Sequence, residues 1–178
     1  MSLPKRKPNR LPRFDYGTVG AYFITNFVPR GKRRKFFGRV VGGGVLDAPR
    51  VSPSPHGEIV IAQLEAMTNF LPRILQIEKY VVMPNHIHFI VVVTQGPSGA
   101  SRTPSPTEVR ANQTIPAFVS TLKRMTNRTA GVQLWQRGYY DHIIRDQLDY
   151  DTIWQYIDEN PAKWPHDQFY TSDGEEHP

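Results

Sequence analysis

The sequence contains no cysteine, which excludes disulfide bonds, thiolate metal ligands and cysteine nucleophiles. It also has no run approaching the roughly 18 uncharged apolar residues that a membrane-spanning helix needs. The N-terminus, MSLPKRKPNR, is basic with no apolar stretch behind it, so no signal peptide is predicted. The apolar fraction of 39% is low for a globular protein but far above that of a disordered chain. With 178 residues, we expect a single soluble domain, and a cytoplasmic location is consistent with the lack of cysteine.

Positive charge is concentrated at the start of the chain. Residues 1–35 hold ten Lys or Arg against one acidic residue, Asp15, and so carry +9, whereas the remaining 143 residues sum to −3. A concentrated basic segment favours a polyanionic partner such as nucleic acid. A solvated tail followed by a solvated loop would have the same composition, so charge alone does not name the partner.

Hydrophobic spacing predicts one domain over residues 14–165, between a flexible basic arm at 1–13 and a C-terminal tail at 166–178. Segment 48–57 is rich in Pro and Ser and is expected to be turns throughout. Strands are expected at about 20–28, 74–83, 86–94 and 139–145, an inserted hairpin at 36–41 with its turn at 42–44 and a short return strand, and helices at 58–71, 114–129 and 149–160, the last capped by Asp149 or Asp146 and ended by Pro161.

Without the inserted hairpin, the element order is β-α-β-β-α-β followed by a C-terminal helix. This is the order of the split βαβ, ferredoxin-like α+β fold, an antiparallel sheet with two helices on one face. The other face is left for a ligand or for the last helix.

Two histidines mark the open face of this sheet. Side chains at i and i+2 of a strand point the same way, so His86 and His88 share a face while Ile87 and Phe89 point to the core. Neighbouring imidazoles at the mouth of a turn can bind one metal ion. For an arbitrary His-x-His, two histidines that only form hydrogen bonds are the commoner outcome.

The predicted C-terminal helix carries two further candidates, Tyr156 and Asn160. They are four residues apart and so lie one turn apart on one helical face. Over the open sheet face they would offer a phenol nucleophile and an amide oxygen as a third metal ligand. Taken alone, each also fits a structural role, as an amphipathic tyrosine and as a residue near a helix end.

Three separated segments resemble one known family. VVMPNHIHFIVVV, then LWQRGYYDHIIRD and then DYDTIWQYIDENPAKW closely resemble the REP-associated tyrosine transposases, which belong to the HUH endonuclease superfamily. The resemblance runs from about Ala21 to Trp164, with the motifs in the family's order. It implies a transposase that cleaves and rejoins single-stranded DNA beside a hairpin, through a 5′-phosphotyrosine intermediate.

The resemblance also implies the roles of the site residues. Tyr156 would be the nucleophile, and His86, His88 and Asn160 would hold Mg²⁺, for which Mn²⁺ can substitute. Tyr139, Tyr140 and Tyr150 are rival nucleophiles without a metal-ligand partner one turn on, and His142 is interpreted as structural or DNA-contacting. Candidate DNA-binding residues are Arg30, Lys32, Arg33, Arg34, Lys35, Lys123, Arg124 and Arg128, together with the basic residues of 5–13.

Two alternatives remain open at this point. A non-catalytic single-stranded nucleic-acid-binding module can use the same sheet, although such modules carry exposed aromatics on the central strands. A replication or relaxase-type initiator of the same superfamily is disfavoured by the small size and the lack of a helicase. Both a monomer and a homodimer are compatible with the sequence.

Overall fold

A computed structural model describes residues 15–29, 36–44, 47–70, 75–94 and 114–170. Within these ranges, no helix is both long and apolar enough to cross a membrane. The elements are β1 (Gly20–Phe27), β2 (Gly38–Val41), β3 (Arg50–Pro53), α1 (Pro55–Phe70), β4 (Leu75–Val82), β5 (His86–Val93), α2 (Thr114–Ala130), β6 (Tyr140–Ile144), α3 (Gln147–Lys163) and a short 3₁₀ helix (Trp164–His166).

Four strands form one antiparallel sheet in the order β4-β5-β1-β6. This is the strand order of the ferredoxin-like fold, and it confirms the expected α+β class. The inserted hairpin, β2 with β3, forms a separate two-stranded sheet. The protein therefore consists of a split βαβ sheet with one small addition before α1.

The alternation of side chains along β5 separates two hydrophobic layers. Ile87, Phe89 and Val91 pack with α1 and α2 in the main core, whereas Ile90 belongs to a second cluster on the opposite face. In that second cluster, Ile153 and Ile157 of α3 pack against the sheet. Two helices thus cover one face, as expected, and the C-terminal helix lies on the other, where it faces His86 and His88.

Two predicted segment boundaries are wrong. Residues 50–53 are a strand and not a turn, because β2 supplies the pairing, with Val40 opposite Val51. Helix α1 starts at Pro55, three residues earlier than expected, because Ser54 accepts from Gly57 N through its hydroxyl at 3.2 Å.

The C-terminal helix also differs from the expectation. Asp146 is its N-cap and accepts from Asp149 N at 2.9 Å, but Pro161 does not end it, since α3 continues to Lys163. The packed domain extends at least to Tyr170, beyond the predicted boundary at 165. Asn85 Nδ2 donates to the Phe169 carbonyl at 2.7 Å, and Trp164 is buried, so the first part of the predicted tail belongs to the fold. The arm at 1–13, the basic run 30–35, the connector 95–107 and residues 171–178 lie outside the described residues.

Candidate active site

His86 and His88 lie side by side on β5, on the face that α3 covers. Their ring centroids are 4.5 Å apart and the rings are nearly perpendicular, at 72°. Both side chains are almost fully buried, at 0% and 2% exposure. In the sheet register, His88 pairs with Thr25 and His86 with Phe27 of β1, so strand pairing fixes the positions of both imidazoles.

Each imidazole is oriented by a hydrogen bond at Nδ1. His88 Nδ1 lies 2.8 Å from Thr25 Oγ1, and His86 Nδ1 lies 2.8 Å from Asn85 Oδ1. With Nδ1 engaged in this way, Nε2 of His88 faces α3, and Nε2 of His86 faces the segment that follows the helix. Holding one ring nitrogen in a hydrogen bond while the other faces a site is the usual arrangement for metal-binding histidines. Burial also lowers the pKa of His88 to about 3, so that ring is neutral at physiological pH, as a metal ligand must be.

Tyr156 reaches the histidine pair from α3. Its hydroxyl oxygen is 3.4 Å from His88 Nε2. Phe23 of β1 supports both groups, since its ring stacks on His88 at 5.2 Å and meets the Tyr156 ring edge-on at 6.0 Å. Burial raises the pKa of Tyr156, whereas the Asn160 amide acts in the opposite direction. The phenol is therefore protonated at neutral pH and needs activation to act as a nucleophile.

Asn160 lies one turn beyond Tyr156 and is 2% exposed. Its Nδ2 donates to the Tyr156 carbonyl at 3.3 Å. Within the described part of the chain, its Oδ1 is buried without a hydrogen-bond partner. A buried carbonyl oxygen normally has a partner, so this oxygen is suited to a ligand that the protein itself does not supply.

Asp167, which follows the 3₁₀ helix, is a site residue that the sequence did not reveal. Its Oδ2 is 3.9 Å from His86 Nε2, and its side chain is only 7% exposed. Its Oδ1 accepts from Phe169 N at 2.6 Å. Burial raises the pKa of this carboxyl group. Residue 167 was expected in a tail, and no sequence spacing connects it with His86.

The donor set fits a divalent cation. Among the described residues, no cluster contains three or more His, Cys, Asp or Glu side chains suited to a metal ion, so a site at the histidine pair would need a ligand of another type, for which the Asn160 amide is a candidate. Two imidazole nitrogens and one amide oxygen are donor types that Mg²⁺ or Mn²⁺ can use. This set would be completed by water, phosphate or a further protein oxygen.

The rival tyrosines occupy other environments. Tyr139 is buried at 7% exposure, and Tyr140 is 56% exposed, with its ring against Phe27. Tyr150 stacks on Trp154. His142 Nε2 lies 2.8 Å from Asp149 Oδ2, in the first turn of α3, and this contact lowers the pKa of Asp149. The pair joins β6 to α3, which favours the structural interpretation of His142.

The candidate DNA-binding cations of α2 differ among themselves. Lys123 Nζ donates to the carbonyl of Gln136 at 3.1 Å and to that of Gly138, and burial lowers its pKa to about 8. Its ammonium group thus holds the loop after α2, which leaves little of it for DNA. Arg124 and Arg128 are exposed. The remaining candidates, Arg30, Lys32, Arg33, Arg34 and Lys35, lie outside the described residues.

The fold matches a solved transposase. The structure of a REP-associated tyrosine transposase bound to a REP hairpin aligns with a TM-score of 0.54 and 19% identity, covering 92% of this chain and 74% of that one. The four-stranded antiparallel sheet with its C-terminal helix is therefore the fold of a tyrosine transposase, as the sequence motifs predicted.

Sequence comparison gives the family. No protein-family profile matches the chain. An uncharacterized protein of Haemophilus influenzae is 30% identical over 178 aligned positions, which cover 93% of each chain. The chain belongs to the same family as this Haemophilus protein.

Proposed function

We propose that the protein is a metal-dependent single-strand DNA endonuclease and transesterase, a transposase in which Tyr156 is the nucleophile. The observation that carries the proposal is the approach of the Tyr156 hydroxyl to His88 Nε2, at 3.4 Å, beside a second buried histidine. These groups come from α3 and β5 and are 68 residues apart in sequence. The motif resemblance independently implies a nucleophile next to a metal site, which supports the proposal.

The reaction assigned to Tyr156 is a phosphoryl transfer. The phenolic oxygen attacks the phosphorus atom of a phosphodiester, loses its proton, and forms a bond to phosphorus. The bond from phosphorus to the 3′ oxygen breaks, and that oxygen leaves with a proton as a free 3′-hydroxyl. The new 5′ end of the DNA is then linked to Tyr156 as a phosphodiester. Because bond energy is kept in this link, a second 3′-hydroxyl can reverse the step and rejoin DNA without a nucleotide cofactor.

His86, His88 and Asn160 are proposed to hold the divalent cation, Mg²⁺ or Mn²⁺. When bound, the cation supplies positive charge that polarises the scissile phosphate. The chain's own contribution is preorganisation. Thr25 and Asn85 orient the imidazoles, and α3 keeps the amide and the phenol on one helical face.

Single-stranded DNA beside a hairpin is the proposed substrate. The transposase that shares this fold was solved with a REP hairpin, and the concentration of positive charge in residues 1–35 also favours a polyanion. Arg124 and Arg128, exposed on α2, are further candidates for phosphate contacts.

The binding-module alternative has less support. Single-strand binding sheets expose aromatic side chains for base stacking. Here the aromatics of the central strand β1 are covered: Phe27 is 3% exposed, and Phe23 packs against His88 and Tyr156. Helix α3 occupies the face that a module would use.

The test is a search for a covalent adduct. Wild-type protein is incubated with end-labelled single-stranded hairpin DNA and Mn²⁺, then separated under denaturing conditions. We expect a protein–DNA adduct that Tyr156→Phe abolishes and Tyr140→Phe, the exposed rival, retains. Tyr156→Phe removes one hydroxyl and should leave folding and DNA binding intact. An adduct formed by Tyr156→Phe, or lost in Tyr140→Phe alone, would mean that the nucleophile is misassigned.

A further inference from the structure

One aromatic side chain of the four-stranded sheet stays open to solvent. Among the aromatic residues of the described sheet strands, Tyr140 alone is exposed, at 56%. It is the first residue of β6, the edge strand beside β1. Its neighbour on β1, Phe27, is buried. The exposed ring therefore lies at the edge of the sheet, where α3 leaves it uncovered.

Strand pairing places Tyr140 in the same row of the sheet as His88. Thr25 of β1 pairs with His88 on one side and with Tyr140 on the other. Side chains of directly paired residues point to the same face of a sheet, so Tyr140 is on the face that carries the histidines. Adjacent strands are about 4.8 Å apart, which puts the backbone of Tyr140 about 10 Å from that of His88. The Tyr156 hydroxyl lies at the His88 end of this row.

We propose that Tyr140 is a stacking platform for one unpaired base of the single-stranded DNA substrate. This inference rests on the proposed function, because it concerns the same DNA, and it adds a binding residue outside the proposed catalytic groups. Stacking on an aromatic ring is open to every base, since each has a π-face. Successive phosphates of one strand are about 3.4 Å apart along a duplex and farther apart in an extended strand, so the base would lie within about three nucleotides of the scissile phosphate.

The ring of Tyr140 is held in place before DNA binds. It meets the Phe27 ring at 5.6 Å and 90°, and such an edge-to-face contact covers at most one face of the Tyr140 ring. The loop before β6 is anchored as well. Gln136 N donates to the Phe27 carbonyl at 2.9 Å, and Lys123 Nζ donates to the carbonyls of Gln136 and Gly138. A ring that is already positioned loses little freedom on binding, which favours affinity.

The surroundings of Tyr140 favour a nucleic-acid strand as the occupant. Arg137 is exposed in the loop that leads into β6, three residues before Tyr140. Surfaces that bind single strands combine aromatic rings for the bases with cations for the backbone. The hydroxyl contact with His88 belongs to Tyr156, so the group that Tyr140 offers is its ring.

The first experiment measures affinity for single-stranded hairpin DNA, in protein that carries Tyr156→Phe so that the DNA stays intact. Addition of Tyr140→Leu, which keeps an apolar side chain but removes the ring, should weaken binding at least about fivefold, or about 1 kcal/mol, the lower end of the effect of removing a stacking ring. Addition of Tyr140→Phe, which keeps the ring, should leave affinity unchanged. Leu148→Ala, at a 78% exposed position of α3, is the control for loss of exposed apolar surface and should bind as the parent does.

The salt dependence of binding separates stacking from a phosphate contact. Tyr140→Leu removes no charge, so the slope of log affinity against log salt should equal that of the parent. Circular dichroism verifies that the variants are folded.

The second experiment detects the stacked base directly. The fluorescent base 2-aminopurine, which is quenched when it stacks on an aromatic ring, is placed in turn at each single-stranded position of the same DNA. We expect quenching within about three nucleotides of the point at which wild type cuts. Addition of Tyr140→Leu should restore the fluorescence at that position, whereas Leu148→Ala should not. A residue that only supports the fold would produce no such position-specific change.

The outcomes are distinguishable from those of the proposed function. If the DNA binds, but Tyr140→Leu neither weakens binding nor restores fluorescence at any position, Tyr140 is not a platform, and adduct formation by wild type still supports the proposed function. Equal loss of affinity in Tyr140→Phe would assign the effect to the hydroxyl and overturn stacking. Stacking without any adduct in wild type would support this inference together with the binding module. If the protein neither binds the DNA nor forms an adduct, both the proposed function and this inference are wrong.

Discussion

The two site histidines show how burial and a hydrogen bond distinguish a histidine from others of the same chain. A histidine on a sheet surface titrates near neutral pH and turns freely. His88 does neither, because burial keeps it neutral and Thr25 holds its Nδ1. His142 is the contrast within the same chain: it is half exposed and paired with Asp149. The sequence could identify which histidines share a face, but not which of them is buried.

This difference leads to a prediction for the three histidines. We expect His86→Ala and His88→Ala to lose detectable Mn²⁺ binding and metal-dependent cleavage, whereas His142→Ala should keep both. Because His86 and His88 pack against aromatic rings, their replacement also costs stability, but the main core lies on the other face and the fold should persist. Calorimetry and thermal melting measure the two effects separately. Wild-type Mn²⁺ affinity in both site variants would contradict the metal site.

Lys123 and Arg124 are adjacent cations with different expected roles. Lys123→Met removes two hydrogen bonds from a largely buried ammonium group to the Gln136 and Gly138 carbonyls. Hydrogen bonds to charged groups contribute about 1.5–3 kcal/mol, so we expect a loss of about 2 kcal/mol in the free energy of unfolding. Arg124→Met, at an exposed position, should change it by less than about 0.5 kcal/mol.

For DNA binding we expect the opposite ranking, with a larger effect for Arg124→Met than for Lys123→Met. Removing a phosphate contact lowers the slope of log affinity against log salt by about 1, which is the result expected for Arg124→Met. Lys123→Met should leave the slope unchanged. Urea denaturation measures the stability of the two variants, and a salt titration measures their DNA binding. A larger change of slope in Lys123→Met than in Arg124→Met would mean that Lys123 does contact DNA.

At the scale of elements, local patterns predicted the sheet well. The run from His86 to Val93 alternates between two buried layers, and this alternation gave the correct strand and face. Strand β3 was missed because its Pro- and Ser-rich sequence resembles a turn, and only its pairing with β2 makes it a strand. Asp167 was missed for a related reason. Its position depends on the contact between Asn85 and Phe169, which are 84 residues apart, and no local pattern encodes such a contact.

At the scale of elements, the prediction concerns Gly57 at the start of α1. Gly57 is buried in the first turn of α1, and a Cβ atom there would approach the Phe37 carbonyl oxygen to well under 3.0 Å. Although alanine favours helices by about 1 kcal/mol over glycine, we expect Gly57→Ala to destabilise the protein by about 1–3 kcal/mol through overpacking. Gly44→Ala is the matched control, since a Cβ there meets nothing within 4 Å.

The same substitution should affect the site. Phe37 N donates to the Pro84 carbonyl at 2.9 Å, and Pro84 lies in the turn that leads into His86. Displacement of Phe37 therefore acts on the turn that positions the imidazoles. We expect Gly57→Ala to weaken Mn²⁺ binding while Gly44→Ala does not. Urea denaturation and calorimetry measure both effects, and a neutral Gly57→Ala would show that α1 can shift away from the hairpin.

At the scale of the whole molecule, α3 has two functions on one sheet face. Ile153 and Ile157 pack it against Ile90, and the same face presents Tyr156 and Asn160 to the histidines. The proposed nucleophile is thus carried by a helix packed on the sheet and has little freedom to move toward a phosphate. A substrate must bring its backbone to the tyrosine, which restricts the kind of DNA that can react.

This restriction leads to the prediction on strand type and polarity. Tyr156 is only 37% exposed, between α3 and the sheet, so a phosphodiester can align with it only where the flanking bases are unstacked. We expect cleavage of single-stranded DNA beside a hairpin, resistance of fully paired duplex, and binding that weakens steeply with salt because Lys and Arg contacts release counterions. The motif resemblance implies that the 5′ end created by cleavage is linked to Tyr156 and that the 3′ end created by cleavage is a free hydroxyl. Labelling each end of the substrate in turn measures this directly. Protein linked to a 3′ end, or equal cutting of duplex, would refute the mechanism, and tight RNA binding without cutting would favour the binding module.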